Sequence, residues 1–448
     1  MLSFKNKNVL IVGLGKSGVS AYRLLIKLGA TCFVFDDNKS IMEEFCKKES
    51  CEAFEPTNDI EHFDFLVLSP GVSVEAAYIQ TAKSCGVKII SELELGAALI
   101  SGNLVGITGT NGKTTTCSLV FHILQFARKK AVLCGNIGEP ITSKLTPEFF
   151  NYIVEMSSFQ LETSNNLKPH ISAITNITPN HIDRHQTFEK YVSAKLNIFK
   201  NATKKDVLVL NHDDPTLQSL DTKNIKPKII WISIKDNVNG YFIKNKKVFF
   251  KNRSKEENVL TISTTLLGAH NLYNILFAIA ICRELGVAPK TIEKAIETFS
   301  PIKHRLQFVK NVNGVSYYND SKSTTPESTI NAINSFGNKP LILLLGGSDK
   351  KTPFDNLANN ILKRKNIKLI IIYGATASQI VSTLSKLKIQ NYIVAKDFFS
   401  ALHLATNNAT KGDIVLLSPA CASFDAFSSF EERGNKFCEY VNDIKQKT

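Results

Sequence analysis

Short apolar runs recur along the chain at intervals that leave room for a helix between them. The first, Asn8 to Val12, is followed by apolar positions at Ala21, Leu24, Leu25 and Leu28, a helical spacing, and then by the run Cys32 to Phe35. Runs at Phe65 to Leu68 and Val87 to Ile90 extend the series and predict a small parallel α/β unit that ends near Glu92 to Gly96. A second series, at Leu104 to Ile107, Ala131 to Leu133, Tyr152 to Val154, Ile171 to Ile174 and Val207 to Leu210, predicts a parallel sheet with helices on both faces. From Tyr241 to Ser263 short apolar and basic stretches alternate, which reads as a hairpin insertion; Ile275, Ala278, Ile279 and Ile281 then mark a helix. After the linker Phe299-Ser-Pro301, runs at Val315 to Tyr318, Leu341 to Leu345, Leu369 to Tyr373 and Asp413 to Leu417 predict a third, doubly wound unit. The pattern therefore divides the chain into three α/β domains over residues 1–95, 96–299 and 300–448.

Composition narrows what such a chain does. Hydrophobic residues make up 43% and charged residues 21% of the 448 positions, the balance of an ordinary globular protein long enough for several domains. The net charge of +14 is spread along the chain rather than gathered into a basic block with interleaved aromatics, so a genome-wide lysine bias or an anionic small substrate accounts for it at least as well as a nucleic-acid partner, which is not expected. Nine cysteines without short paired spacings exclude a disulfide framework and a structural zinc site. With no signal-like leader and no apolar stretch of ~18 residues, the reading is a cytoplasmic protein without membrane insertion.

Candidate chemistry gathers where the apolar runs end. The segment Gly109-Thr110-Asn111-Gly112-Lys113-Thr114-Thr115 lies between a strand and a helix. Its glycines let backbone N–H groups curl around a polyphosphate, Lys113 can reach the terminal phosphates and Thr114 can hold Mg²⁺. It departs from the strict phosphate-loop spacing, since Ile107 stands where that pattern wants glycine. Binding of ATP with magnesium is the expectation, and the central domain is expected to be P-loop ATPase-like. The loop Gly13-Leu-Gly15-Lys16-Ser17-Gly18, with Asp36 about 20 positions beyond, fits a dinucleotide fingerprint and makes the first domain Rossmann-like. Alone it suits NAD, and equally the diphosphate of another nucleotide. Glu155, at the end of a strand, is placed as a metal-binding acid would be, although an exposed loop carboxylate fits the position too. The segment Asn176 to His185 concentrates ligand-capable groups but also reads as a polar turn with a helix cap. Lys195 sits on an apolar-periodic helix, where a lysine ordinarily snorkels to solvent. In the Rossmann-like third domain, Asp320 and Lys322, Gly346 to Lys350 and Ser418 to Ser423 fall at strand ends; salt bridges are the plainer account of His304-Arg305 and Asp320-Ser321-Lys322.

Taken together, Gly109 to Thr114, Glu155 with Ser157-Ser158, Asn176 to Asp183, Lys195, Gly268-Ala-His270-Asn271-Leu-Tyr-Asn274, His304-Arg305 and Asn319 to Lys322 resemble the Mur ligase family over essentially the whole chain. Leu68-Ser-Pro-Gly71, Glu155 to Glu162 and Leu417 to Asp425 with Phe427, Phe430 and Arg433-Gly434 are most similar to its D-glutamate-adding members. Pro179-Asn180 and Thr325 depart from the family pattern.

The resemblance implies an ATP-dependent acid–amino-acid ligase that joins D-glutamate to UDP-N-acetylmuramoyl-L-alanine through an acyl phosphate, in peptidoglycan precursor synthesis, working as a monomer. It implies two Mg²⁺ ions, held by Thr114 and Glu155 and by His181 and a CO₂-derived carbamate on Lys195, with Lys113, Glu155, His181 and Lys195 catalytic. Asn271, Arg305 and Asp320 are then expected around adenine and ribose. Gly15, Lys16, Ser17, Asp36, Asp37, Gly71, Asn136 and His181 would meet the UDP-sugar substrate, and Thr324, Lys350, Ser423 and Phe430 the D-glutamate. Another amide ligase of the family and an NAD-dependent oxidoreductase are the competing readings.

Overall fold

The structure, a computed structural model, describes residues 3–444 apart from 57, 58, 254, 265, 267, 301, 302 and 349–351, and apart from the side chain of Asp183. It forms two compact units, one of Met1–Thr264 with Leu272–Phe299 and one of Thr265–Asn271 with Ser300–Thr448. The first unit holds two sheets and the second unit one.

The N-terminal sheet runs Glu52–Ala53, Thr31–Phe35, Asn8–Val12, Phe65–Leu68, Lys88–Ser91, all parallel. Asn8–Val12 and Phe65–Leu68 are buried on both faces, which is why they read as unbroken apolar runs. Sequence-consecutive strands leave in opposite directions from Asn8–Val12, so a crevice opens at the carboxyl ends of Asn8–Val12 and Phe65–Leu68.

In the nine-stranded central sheet, Gly102–Thr108 lies between Ile171–Ile174 and Phe150–Glu155, all parallel. Over the stretch from Tyr241 to Ser263, expected as a hairpin insertion, the strands Gly240–Lys244, Lys247–Asn252 and Lys255–Thr261 pair antiparallel with one another and continue the sheet edge itself. Towards the edge the strands become exposed, Lys255–Thr261 burying little beyond Leu260, which is why charged and apolar stretches mix there.

The third sheet is ordered Gln307–Val312, Val315–Asn319, Ile414–Leu417, Leu341–Gly346, Ile367–Tyr373, Tyr392–Val394. The first and last of these were not expected from the sequence. Gln307–Val312 pairs antiparallel with Val315–Asn319 across Asn313 (φ 53°) and Gly314 (φ 80°), both left-handed as a tight hairpin turn requires.

Buried polar groups join the two sheets of the first unit. Glu92 Oε1 accepts from the Thr142 amide (2.9 Å) and hydroxyl (2.7 Å), Glu94 accepts from the Asn165 amide and Asn166 Nδ2 (2.7 Å each), and the Ser91 and Ser164 hydroxyls meet at 2.7 Å. Glu92 Oε2 is buried with no hydrogen-bond partner, and burial pushes this carboxyl's pKa up against the pull of the two Thr142 bonds. A raised folded-state pKa means that the stability this group contributes is lost as pH rises through that pKa. Glu92→Gln is accordingly expected to raise the thermal midpoint by about 1–2 °C at pH 8, the order ~1 kcal/mol gives in a chain of this size, and the gain should shrink as pH falls. Melting curves across pH check it; an equal gain at every pH would contradict the assignment.

Candidate functional site

The phosphate-type loop closes the strand Gly102–Thr108 and opens the helix Lys113–Phe126. Gly109 (φ +144°) and Gly112 (φ +87°) occupy conformations that L side chains rarely adopt, and a Cβ at Gly109 would stand 1.9 Å from Thr175 Oγ1. The neighbouring strand holds the loop open: Asn176 Oδ1 accepts from the Asn111 amide, and Asn176 Nδ2 donates to the Asn111 carbonyl, both at 2.9 Å, while Thr175 Oγ1 donates to the same carbonyl at 2.6 Å. Asn176 and Thr175 are thus the loop's scaffold, a role that depends on pairing between strands far apart in sequence.

Two amines converge on one carbonyl at this loop. Lys113 Nζ donates to Gly109 O (2.9 Å) and Thr110 O (3.0 Å), and Lys195 Nζ donates to the same Gly109 O at 2.8 Å. Lys195 does not snorkel. It is 2% exposed, its Nζ lies 4.7 Å from the centre of the Tyr191 ring, and the Tyr191 hydroxyl in turn meets Thr110 Oγ1 at 3.0 Å. Burial first, then the charge of Lys113, lowers the Lys195 pKa to about 6, against a smaller opposing pull from Glu155. At neutral pH its amine is therefore largely uncharged.

Glu155 ends the strand Phe150–Glu155 next to that loop strand and is buried, so the exposed-carboxylate alternative fails. Its Oε1 accepts from Asn136 Nδ2 at 2.8 Å; its Oε2 is buried with no hydrogen-bond partner. An orphaned buried carboxylate oxygen beside a polyphosphate loop is the arrangement a divalent cation satisfies. Thr114, buried in the first helical turn, supplies a hydroxyl of the type that completes such a site.

His181 is exposed and left-handed (φ 53°, ψ 37°) at the head of the four-residue helix Ile182–His185, its ring 5.0 Å from that of Phe159. A non-glycine residue in that region stores strain of the order of 1 kcal/mol, which persists where neighbours over-determine it. Here Arg184 is one such neighbour. It donates to Val72 O (2.7 Å) and Gly71 O (3.4 Å), meets Glu162 Oε2 at 3.4 Å and lies 5.4 Å over Phe159. His185 is buried, with Nε2 3.0 Å from Ser158 Oγ.

All six N-terminal residues expected to meet one ligand, Gly15, Lys16, Ser17, Asp36, Asp37 and Gly71, line a single cavity of about 350 Å³ at the switch point of the first sheet. A Cβ on Gly18 would stand 1.8 Å from Gly13 O, so this glycine packs helix against strand, whereas Gly15 and Gly71 face open space. Asp36 is partly engaged by its own loop, accepting from the Leu14 amide (2.7 Å) and the Asn38 amide (2.9 Å). Asn136 and His181 do not line that cavity.

The second unit has a cluster of its own. Asp320 is buried and accepts from the Leu306 amide (3.0 Å) and Ser418 Oγ (2.8 Å); burial, partly offset by hydrogen bonds from Ser323 and Ser418, raises its pKa to about 6. Arg433 is wholly buried, and its guanidinium donates to Ser321 Oγ (2.9 Å), Ser321 O (2.9 Å), Ala422 O (3.0 Å) and Cys421 O (3.1 Å). One guanidinium thereby fixes the segments that carry Thr324 and Ser423. Ser423 Oγ is buried without a hydrogen-bond partner, and Phe430 gives its carbonyl to Ser321 Oγ (2.8 Å) while the Lys322 ammonium lies 5.6 Å over its ring. His270 has its pKa lowered to about 4 by burial and the charge of Arg305, which sets Arg305 near the head of the helix Ala269–Glu284 that carries Asn271. Lys350 lies outside the described residues.

Relatives match this chain over essentially its whole length. The chain is 39% identical to the UDP-N-acetylmuramoylalanine–D-glutamate ligase of Clostridioides difficile over 99% of its own length and 100% of that protein, and 38% identical to that of Koribacter versatilis over 100% and 99%. The chain belongs to the Mur ligase family. Residues 7–91 match the family model described as the Mur ligase MurD-like N-terminal domain, 107–282 the Mur ligase middle domain and 304–421 the Mur ligase glutamate ligase domain. Among solved structures, the MurF ligase of Thermotoga maritima in complex with ADP aligns with TM-score 0.60 at 17% identity, covering 98% of this chain and 96% of that one. The UDP-N-acetylmuramate-alanine ligase of the same organism aligns with TM-score 0.59 at 18% identity, covering 98% and 100%. These two share the three-domain α/β fold.

Membership makes this Mur ligase an ATP-dependent, amide-forming enzyme, and several residues that its sequence did not single out gain a place around the site. Arg184 is the most informative, because it ties the cavity loop at Gly71 and Val72 to the helix that His181 heads. Charge-assisted bonds of this kind are worth about 1.5–3 kcal/mol. Arg184→Ala is expected to raise KM for the UDP-sugar substrate about 10-fold or more with KM for ATP little changed, and Arg184→Lys to recover part of the loss. Equal movement of both KM values, measured by phosphate release, would reduce Arg184 to a general packing residue.

Proposed function

We propose that this Mur ligase adds D-glutamate to UDP-N-acetylmuramoyl-L-alanine in the cytoplasm, as a monomer, with residues 1–95 binding the UDP-substrate, 96–299 ATP and 300–448 the amino acid. The observation that carries the chemistry is the meeting of Lys113 and Lys195 at the Gly109 carbonyl, beside the unpartnered oxygen of Glu155. Similarity over the full length to ligases of that name supports the choice of D-glutamate.

In this reading the alanine carboxylate attacks the γ-phosphate of ATP, giving an acyl phosphate and ADP. The amine of D-glutamate then attacks the acyl carbon, and inorganic phosphate leaves. Gly109 to Thr115 cradle the phosphates, and Lys113 turns from its loop carbonyls to the phosphate charge that builds during transfer. Thr114 and Glu155 would hold one magnesium ion, and His181 with Lys195 as its carbamate another; magnesium would there neutralise phosphate oxygens. A buried, uncharged Lys195 amine is the form that takes up CO₂, and its product is an anionic oxygen donor. Asn271, Arg305 and Asp320 serve adenine and ribose. Gly15, Lys16, Ser17, Asp36, Asp37 and Gly71 take the uridine diphosphate, Asn136 and His181 the sugar-peptide end. Thr324, Lys350, Ser423 and Phe430 form the D-glutamate pocket, where a lysine pairs with a carboxylate.

A phosphate-release screen of UDP-N-acetylmuramoyl-L-alanine with D-glutamate, L-glutamate, L-lysine and diaminopimelate tests the reading. Release is expected only with D-glutamate. Release with L-lysine or diaminopimelate and none with D-glutamate would assign the chain to another amide ligase of the family, and NADH turnover would return it to the oxidoreductases.

A further inference from the structure

The parallel strands of the second unit present their amino-terminal ends on one side. Leu341, Ile367 and Ile414 begin three adjacent strands in register, and Tyr392 begins a fourth beside them. This is the edge of the sheet opposite to its carboxyl ends, where ligands of doubly wound domains bind. The turns that feed these strands are bonded into one plate: Leu341 N donates to Asn366 O (2.8 Å), Ile414 N to Pro340 O (2.8 Å), Asn366 Nδ2 to Gly337 O (3.0 Å) and Lys339 O (2.9 Å), and Asn391 Nδ2 to Ile367 O (2.7 Å).

The plate is charged in one sense. Its turns, residues 336–342, 360–370, 384–393 and 408–414, carry Lys339, Lys363, Arg364, Lys365, Lys368, Lys386, Lys388 and Lys411 against a single acid, Asp413. That acid is buried and already bonded to Lys368 Nζ at 2.7 Å, so it cancels little of the field. Lys363 and Lys386 end helices and offset their dipoles, but the others stand on turns and strand starts. Beside the densest cations Leu362 projects to solvent, 54% exposed. The excess is local: the stretch 356–412 holds one acid, Asp397, so a uniform lysine bias along the chain does not produce it.

We propose that this plate docks the enzyme on an anionic lipid surface, with its lysines and Arg364 among the headgroups and Leu362 at the acyl boundary. A braced array of cations beside one exposed apolar side chain matches a surface of anionic headgroups in charge and in its single apolar contact. A nucleic-acid strand would instead call for exposed aromatics to stack its bases or an element shaped to enter a groove. The turns carry neither. Docking here uses the opposite edge of the sheet from the carboxyl ends of the strands and requires no spanning segment; among the described residues no helix is long and apolar enough to cross a membrane.

Vesicle flotation of the full chain tests it, with phosphatidylcholine vesicles with and without about 30% phosphatidylglycerol at low salt. Binding to the anionic vesicles is expected to exceed binding to neutral ones by more than 10-fold and to be lost at high salt, as screening demands. Replacing Lys339, Lys363, Lys365 and Lys388 together by Gln should weaken it by more than 100-fold, about 5-fold per charge. Leu362→Ser should weaken it by about 3-fold, and phosphate release in solution should be unchanged in both variants. Equal flotation with neutral vesicles, or undiminished flotation of the fourfold variant, overturns the proposal. So does tighter, lysine-dependent binding of a mixed-sequence DNA duplex at the same salt, which would make the plate a nucleic-acid surface.

Discussion

Lys195→Ala is expected to lower kcat by about 10³-fold or more, with KM for ATP changing far less, and acetate or formate at high concentration is expected to restore part of the activity. The cause is positional. Lys195 Nζ is buried 2.8 Å from Gly109 O, at the carbonyl that Lys113 also reaches, so whatever group it carries acts on the phosphate loop. Removing the side chain leaves a hole open to a small carboxylate, which replaces the anionic oxygens of a carbamate. ¹³C NMR under labelled CO₂ provides a readout apart from turnover: a carbamate signal in the parent, none in Lys195→Ala. Normal activity in the variant, or no carbamate signal in the parent, would leave Lys195 a structural lysine. The titration gives a second check. With the folded pKa lowered to about 6 from 10.5, the unfolded chain binds more protons between these values, so stability rises with pH across that window. Lys195→Met should flatten that rise.

Lys113→Ala is expected to abolish ATP turnover, about 10³-fold or more, while the thermal midpoint moves by no more than about 2 °C. Its ammonium bonds to carbonyls of its own loop, and the fold of the loop rests on Asn176, Thr175 and the two glycines instead. The variant carries a further signature. Because the charge of Lys113 helps depress the Lys195 pKa, its removal should shift that pKa upward, visible as a later onset of carbamate formation on raising pH. Phosphate release near the parent level by a folded Lys113→Ala protein would contradict the ATP-site assignment.

What the sequence alone determined is whatever is encoded over a few neighbouring residues. Asn8–Val12 and Phe65–Leu68 were legible because strands buried on both faces cannot carry a polar residue mid-run, and the phosphate-type loop was legible because its glycines must follow a strand and open a helix. Glu155 and Lys195 were suspected from strand-end position and from a resemblance, yet by pattern alone the first also read as a loop carboxylate and the second as a snorkelling lysine. Tertiary structure decided both. Burial with one unpartnered oxygen sets Glu155 apart, and desolvation beside Lys113 removes the charge of Lys195. The strands Gln307–Val312 and Tyr392–Val394 went unread because Lys310 and Asn311 interrupt the apolar positions of the first and the second is only three residues long. Asn176 as the loop's brace, Arg184 as the tie to Gly71 and Val72, and Arg433 as the clamp on Ser321, Cys421 and Ala422 went unread as such because each acts on a partner 65 residues (Asn176), 112 and 113 residues (Arg184), or 11, 12 and 112 residues (Arg433) away. Local sequence fixes backbone preference and periodicity, but the direction and burial of a long polar side chain are set by the elements that fold against it.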